Sequence, residues 1–111
     1  MELSNLFKLP DALSGEELIT PLLKTAAFRV ERIVSTGQKS PDGFFYSQEE
    51  DEFVVLLSGS AVLSVPDGRV SLKAGDFYFL PARLRHRVEY TSVEPPAIWL
   101  CIFGRPEEKR E

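Results

Sequence analysis

Gly43-Phe-Phe-Tyr46-Ser-Gln48-Glu-Glu-Asp-Glu52-Phe-Val-Val-Leu-Leu-Ser-Gly59 sets four consecutive acidic residues, Glu49 to Glu52, directly against an apolar run, Phe53 to Leu57. The run closes at the turn residues Ser58-Gly59-Ser60 and reads as a short, fully buried strand. Similar runs recur on both sides: Ala27–Ser35, Gly43–Ser47, Glu52–Ser58, Ala61–Val65, Val70–Leu72, Asp76–Leu80, Leu84–Thr91 and Ala97–Phe103. Between them stand turn signals such as Pro41-Asp42-Gly43, Pro66-Asp67-Gly68 and Glu94-Pro95-Pro96. About eight closely spaced strands with no helix-length pattern between them predict an all-β antiparallel sandwich or barrel.

The N-terminal part reads differently. Ser14 followed by Glu17 is a capping-box pattern, and Leu18, Ile19, Leu22 and Leu23 give the segment an apolar side. Pro21 limits such a helix to about two turns. The expected organisation is therefore one domain over residues 1–111: a short helical or irregular segment at 1–26, a barrel at 27–104 and a frayed charged tail at 105–111.

Composition narrows the function classes. The chain has 111 residues, 43% hydrophobic and 27% charged, with eight phenylalanines, three tyrosines and one tryptophan for a core. A net charge of −4 argues against a grip on phosphate backbones, so no nucleic-acid partner is expected. Cys101 is the only cysteine, so no internal disulfide forms, and a reducing compartment is expected. No apolar run reaches the ~18 residues of a membrane span, and the first ten residues do not read as a signal peptide. The reading is a soluble, cytoplasmic protein with no membrane partner.

Side-chain alternation along strands locates the chemistry. Along Arg83–Tyr90 one parity holds Leu84, His86, Val88 and Tyr90, and the other holds Arg83, Arg85, Arg87 and Glu89. The charged set is expected to face water, which turns His86, the only histidine, inward. Glu52 shares parity with Val54 and Leu56 and opens that inner row, while Glu49, Glu50 and Asp51 read as a solvated turn. Tyr46, Gln48, Glu52 and His86 are thus candidates for one interior polar cluster near one end of the barrel. Cys101 shares parity with Trp99 and Phe103 and reads as core. Phe53–Leu57 and Trp99–Phe103 are apolar on both faces, so their outer faces need cover from the N-terminal segment or from a second subunit. A homodimer is expected.

These residues resemble the cupin superfamily of small antiparallel β-barrels or jelly rolls. Its first motif carries two histidines one residue apart, then a glutamate, then a glycine; Tyr46, Gln48, Glu52 and Gly59 keep that spacing, with Tyr46 and Gln48 in the histidine positions. Gly75-Asp-Phe-Tyr-Phe-Leu-Pro81-Ala-Arg-Leu-Arg-His86 is similar to the second motif. The resemblance covers roughly residues 28–103 and is closest to short bacterial cupins with a Tyr-x-Gln-x-x-x-Glu first motif.

Metal-dependent cupins hold their ion with three histidines and one glutamate, so the resemblance implies a depleted site of His86, Glu52, Gln48 and Tyr46. Such an oxygen-rich set suits at most one divalent ion (Zn, Ni, Mn or Fe) at low occupancy. The alternative for His86 is a structural hydrogen bond to Glu52 or Tyr46. Phe45, Val54, Leu56, Phe79, Val88, Tyr90 and Trp99 are the expected pocket walls. The leading expectation is a small-molecule-binding cupin with a weak or vestigial metal site. The competing ones are a metal-dependent isomerase, lyase or oxygenase acting on a small polar metabolite, and a non-enzymatic sensor or accessory dimer. Catalytic residues are not assignable from the sequence.

Overall fold

The computed structural model describes residues 2–13 and 15–106. Eight strands follow in order: β1 (Leu18–Lys24), β2 (Phe28–Ser35), β3 (Asp51–Ser58), β4 (Ser60–Val65), β5 (Gly68–Lys73), β6 (Phe77–Leu80), β7 (Arg87–Thr91) and β8 (Ala97–Gly104). They form a five-stranded sheet, β1-β2-β8-β3-β6, and a three-stranded sheet, β5-β4-β7, with every pairing antiparallel. The core lies between the two sheets and includes Val54, Leu56, Ala61, Leu63, Leu72, Leu80, Trp99, Cys101 and Phe103. Among the described residues there is no helix long and apolar enough to cross a membrane.

The expected N-terminal helix does not form. Leu18–Lys24 is instead the edge strand β1, paired with β2. Pro21 is tolerated because it sits at a register shift on a strand with only one neighbour, where a missing N–H costs little. Ser14, the expected cap, lies outside the described residues, as do residues 107–111 of the tail. Gly43–Ser47 is not a strand either; only Tyr46 makes a β-bridge, to His86.

Parity predicts β3 well: Glu52, Val54 and Leu56 are its buried residues. It misleads on the turn before it. Glu50 pairs with Arg29 at 2.9 Å, and the Asp51 carboxylate accepts the Ala82 backbone N–H at 2.8 Å. Both acids tie the bend to other elements rather than facing water. Gly59 ends β3 with φ near 77°, and a Cβ there would lie 2.6 Å from the Pro96 carbonyl oxygen and 2.9 Å from Ala97 Cα. Only glycine fits this turn.

Two further corrections concern β7. Arg87 does point away from the lumen, but it is only 7% exposed. Its guanidinium donates to the carbonyls of Ser40 (3.1 Å) and Pro41 (3.0 Å), so residues 38–45 cover it instead of solvent. Its Nε lies 2.6 Å from Glu89 as an ion-pair contact whose angle is not that of a hydrogen bond. Tyr90 is exposed because the β4–β7 register slips at Glu89, pairing Leu63 with Val88 but Val62 with Tyr90. One extra residue reverses the facing of everything after it, and Thr91 takes the buried position.

Candidate functional site

The register of the larger sheet stacks its inward side chains in rows. Ile19, Ile33, Trp99 and Leu56 form one row; Glu31, Cys101 and Val54 form the next; Arg29, Phe103, Glu52 and Leu80 form the third. Leu63 and Val88 face them from the smaller sheet. Between the sheets lies a cavity of about 260 Å3, close to the lower end of the ~300–1,000 Å3 usual for small-molecule sites.

Tyr46, Gln48, Glu52 and His86 all line this cavity. A local hydrogen-bond pattern joins the two distant segments that carry them. Tyr46 and His86 exchange backbone hydrogen bonds of 2.7 and 3.0 Å, and Arg83 N–H donates to the Gln48 carbonyl at 2.7 Å. The Tyr46 and His86 rings consequently stack at 5.6 Å with 26° between planes. Arg83 holds φ near 67°, a conformation uncommon for a non-glycine residue, and its side chain pairs with Glu49 at 2.8 Å. The turn that delivers His86 is thus pinned onto the segment that delivers Tyr46 and Gln48.

His86 is 6% exposed, and its Nδ1 lies 2.9 Å from the Leu84 carbonyl oxygen. A carbonyl only accepts, so Nδ1 carries a proton, and Nε2 is the ring nitrogen without a protein partner. Glu52 is 9% exposed and accepts from Gln48 Nε2 at 2.9 Å and from the Cys101 thiol. Burial raises its pKa above the ordinary carboxylate value; the Gln48 hydrogen bond and the nearby His86 partly oppose that shift. Burial first, and then the charge of Glu52, push the Cys101 thiol well above its ordinary pKa, so it stays a neutral donor.

Three charged residues at the cavity wall escaped the sequence reading. Arg29 and Glu31 of β2 point inward and pair at 2.6 Å. Arg29 also reaches Glu50 and lies 3.8 Å over the Phe103 ring. Its pKa is raised, first by the Glu50 hydrogen bond and against the effect of burial. Glu17 joins the lining and accepts from Ser35 at 3.1 Å. The only signal in the sequence was that Arg29 and Glu31 share parity with Ile33, a pattern that equally describes a polar outer face.

The expected walls divide. Val54, Val88 and Trp99 line the cavity, while Leu56 is fully buried in the core outside the lining set. Phe45, Phe79 and Tyr90 are not part of the lining. Phe45 packs beneath Arg85, 3.9 Å from the ring centroid, on the outside of the barrel. Phe79 pairs with Phe53 on the outer face of the larger sheet and is 48% exposed, because the inward parity of β6 belongs to Tyr78 and Leu80. Tyr90 turns outward after the slip at Glu89.

The donors a cation would find are His86 Nε2, a Glu52 oxygen, the Gln48 amide oxygen and the Tyr46 phenol. Among the described residues no group of three or more His, Cys, Asp or Glu side chains is arranged to hold a metal ion. One imidazole and one carboxylate fall short of a three-histidine centre.

No curated protein matches the chain. Solved structures do. A proposed mannose-6-phosphate isomerase from Ralstonia eutropha is 34% identical, with a TM-score of 0.89 over 96% of this chain and 100% of that one. A protein from Thermus thermophilus is 23% identical, with a TM-score of 0.76 over 96% and 100%. A cupin superfamily protein from Desulfitobacterium hafniense is 17% identical, with a TM-score of 0.73 over 87% and 84%. The family model for the cupin domain matches residues 32–103, which run from within β2 to Phe103 of β8 and include the polar cluster; the chain belongs to the cupin family.

Proposed function

We propose that this cupin binds a small molecule in its lumen, with at most a weak divalent-metal site at the polar cluster. One observation carries the reading: a buried histidine presents an unpartnered Nε2 to a cavity beside a buried carboxyl. A purely structural histidine would be expected to have both ring nitrogens occupied. The apolar wall of Ile19, Val54, Leu63, Val88 and Trp99 supplies burial, and the polar cluster supplies orientation.

The test is elemental analysis and thermal unfolding of the wild type beside His86→Ala, after incubation with Mn, Fe, Ni or Zn. The reading expects sub-stoichiometric metal that His86→Ala removes. Full occupancy that survives His86→Ala would place the metal elsewhere and defeat the site.

A second reading rests on Glu52. A carboxyl held above its usual range in a cleft beside a free imidazole nitrogen suits proton transfer to or from a bound substrate. Turnover abolished by Glu52→Gln without loss of ligand affinity would favour this enzyme reading.

The outer face of the larger sheet supports association with a second copy. Leu100, Val55 and Phe77 lie in one row, and Ile102, Phe53 and Phe79 lie in the next. Phe77 is 66% exposed. The N-terminal segment reaches the Arg32 end of this face, where Arg32 donates to the Leu6 and Lys8 carbonyls. A flat apolar patch of this kind is self-complementary about a two-fold axis.

A further inference from the structure

Arg32 is a buried cation without a counter-charge. It stands on β2 between Glu31 and Ile33, which line the lumen, so its side chain leaves by the opposite face of the larger sheet. There it is 8% exposed. Nη1 donates to the Leu6 carbonyl at 3.2 Å and to the Lys8 carbonyl at 2.8 Å, and Nη2 makes a long bond of 3.3 Å to Thr20 Oγ1. Nε has no hydrogen-bond partner. Arg87, buried to the same degree, has Glu89 beside it, whereas no carboxylate among the described residues pairs with Arg32. A buried charge left unpaired is strongly destabilising.

The guanidinium borders a cleft of about 580 Å3 between the N-terminal segment and the β1–β2 edge of the sheet, well inside the ~300–1,000 Å3 usual for small-molecule sites. Leu3, Leu6 and Leu22 give the cleft apolar walls. Lys8 is a second cation in the lining and Glu2 the one acid, a formal charge of +1 on a chain of net −4. The thickness of the sheet separates this cleft from the lumen. Phe77 and Phe79, at the far end of the outer face, lie three strands from Arg32 on β6.

We propose that this cleft binds an organic monocarboxylate with an aliphatic body. The carboxylate supplies the counter-charge that the fold withholds from Arg32, since a planar guanidinium fork matches two carboxylate oxygens. It replaces the long Thr20 contact at Nη2 and reaches Nε by an outward shift of residues 6–8. The three leucines take the aliphatic body. One negative charge cancels the +1 of the lining; a phosphate dianion overshoots it and brings nothing apolar to the leucines. A neutral amide of the same shape keeps the apolar contacts and loses the ion pair.

Isothermal calorimetry on the full chain with hexanoate, hexanamide, inorganic phosphate and chloride tests this. Hexanoate is expected to bind at least about ten-fold more tightly than each of the other three. Arg32→Met is expected to abolish hexanoate binding. Arg32→Lys, which keeps the cation and loses the fork, is expected to weaken it about five-fold. Lys8→Gln leaves the Lys8 carbonyl in place and is expected to weaken it about two-fold, as loss of an exposed charge does; this variant keeps the test alive if Arg32→Met does not fold. Hexanamide or chloride binding as tightly as hexanoate overturns the proposal, as does hexanoate binding that is untouched by Arg32→Lys and Lys8→Gln. No heat from hexanoate overturns it too.

Discussion

Arg87 offers a sharp test of how the site is held. It is the residue immediately after His86, and its fork closes on two consecutive carbonyls, Ser40 and Pro41, of the segment leading to Tyr46. Hydrogen bonds to a charged group contribute about 1.5–3 kcal/mol each. Two such bonds at 7% exposure put the loss for Arg87→Ala at about 4 kcal/mol. Arg87→Lys keeps the charge but cannot span two carbonyls with a planar fork, so about 2 kcal/mol is expected. At roughly 4 °C per kcal/mol for a domain of this size, the midpoints would fall by about 16 and 8 °C. Urea unfolding gives the free energies directly, with exposed Arg85→Lys as a control within about 0.5 kcal/mol. A loss below about 1 kcal/mol for Arg87→Ala would refute the claim that this guanidinium clamps the segment leading to Tyr46.

Other expectations follow from single residues. Gly59→Ala combines a left-handed backbone with a Cβ against the Pro96 carbonyl and Ala97, so a loss of about 3 kcal/mol in denaturant unfolding is expected; an unchanged midpoint would mean the turn relaxes freely. Glu52 has a raised folded-state pKa, so folding favours its protonated form; wild-type stability should fall as pH rises from the unfolded carboxylate value near 4.3 through the folded one. Glu52→Gln should lack that fall and be the more stable protein at neutral pH, and identical pH profiles from denaturant titrations would contradict the burial argument. Phe77→Ser should shift sedimentation towards monomer without lowering the unfolding midpoint of the monomer; a wild type that is monomeric at high concentration removes the outer-face reading.

The sequence was most readable where one physical signal acted alone. β3 and β8 are apolar runs between turns, and their alternation correctly sorts Glu52, Val54 and Leu56 from Phe53 and Val55. β1 was hidden because Pro21 suppresses a strand reading and Glu17 supplies a helix-start pattern, while the edge position that makes the proline harmless is a tertiary fact. Tyr90 was misplaced because a single extra residue at Glu89 leaves no trace in local composition. Arg29, Glu31 and Arg87 were read as ordinary surface charges, or passed over, because charge alone does not tell solvent from a partner. Their partners, Glu50, Ser40 and Pro41, are brought to them only by the closed fold.

Trp99 is the only tryptophan in the chain, and it stands in the lumen wall. The protein therefore carries its own optical probe at the place where occupancy matters. Indole emission will change when the cavity fills, and a paramagnetic ion near His86 will quench it. Any candidate compound can be titrated against unlabelled protein, with no background from a second fluorophore of that kind.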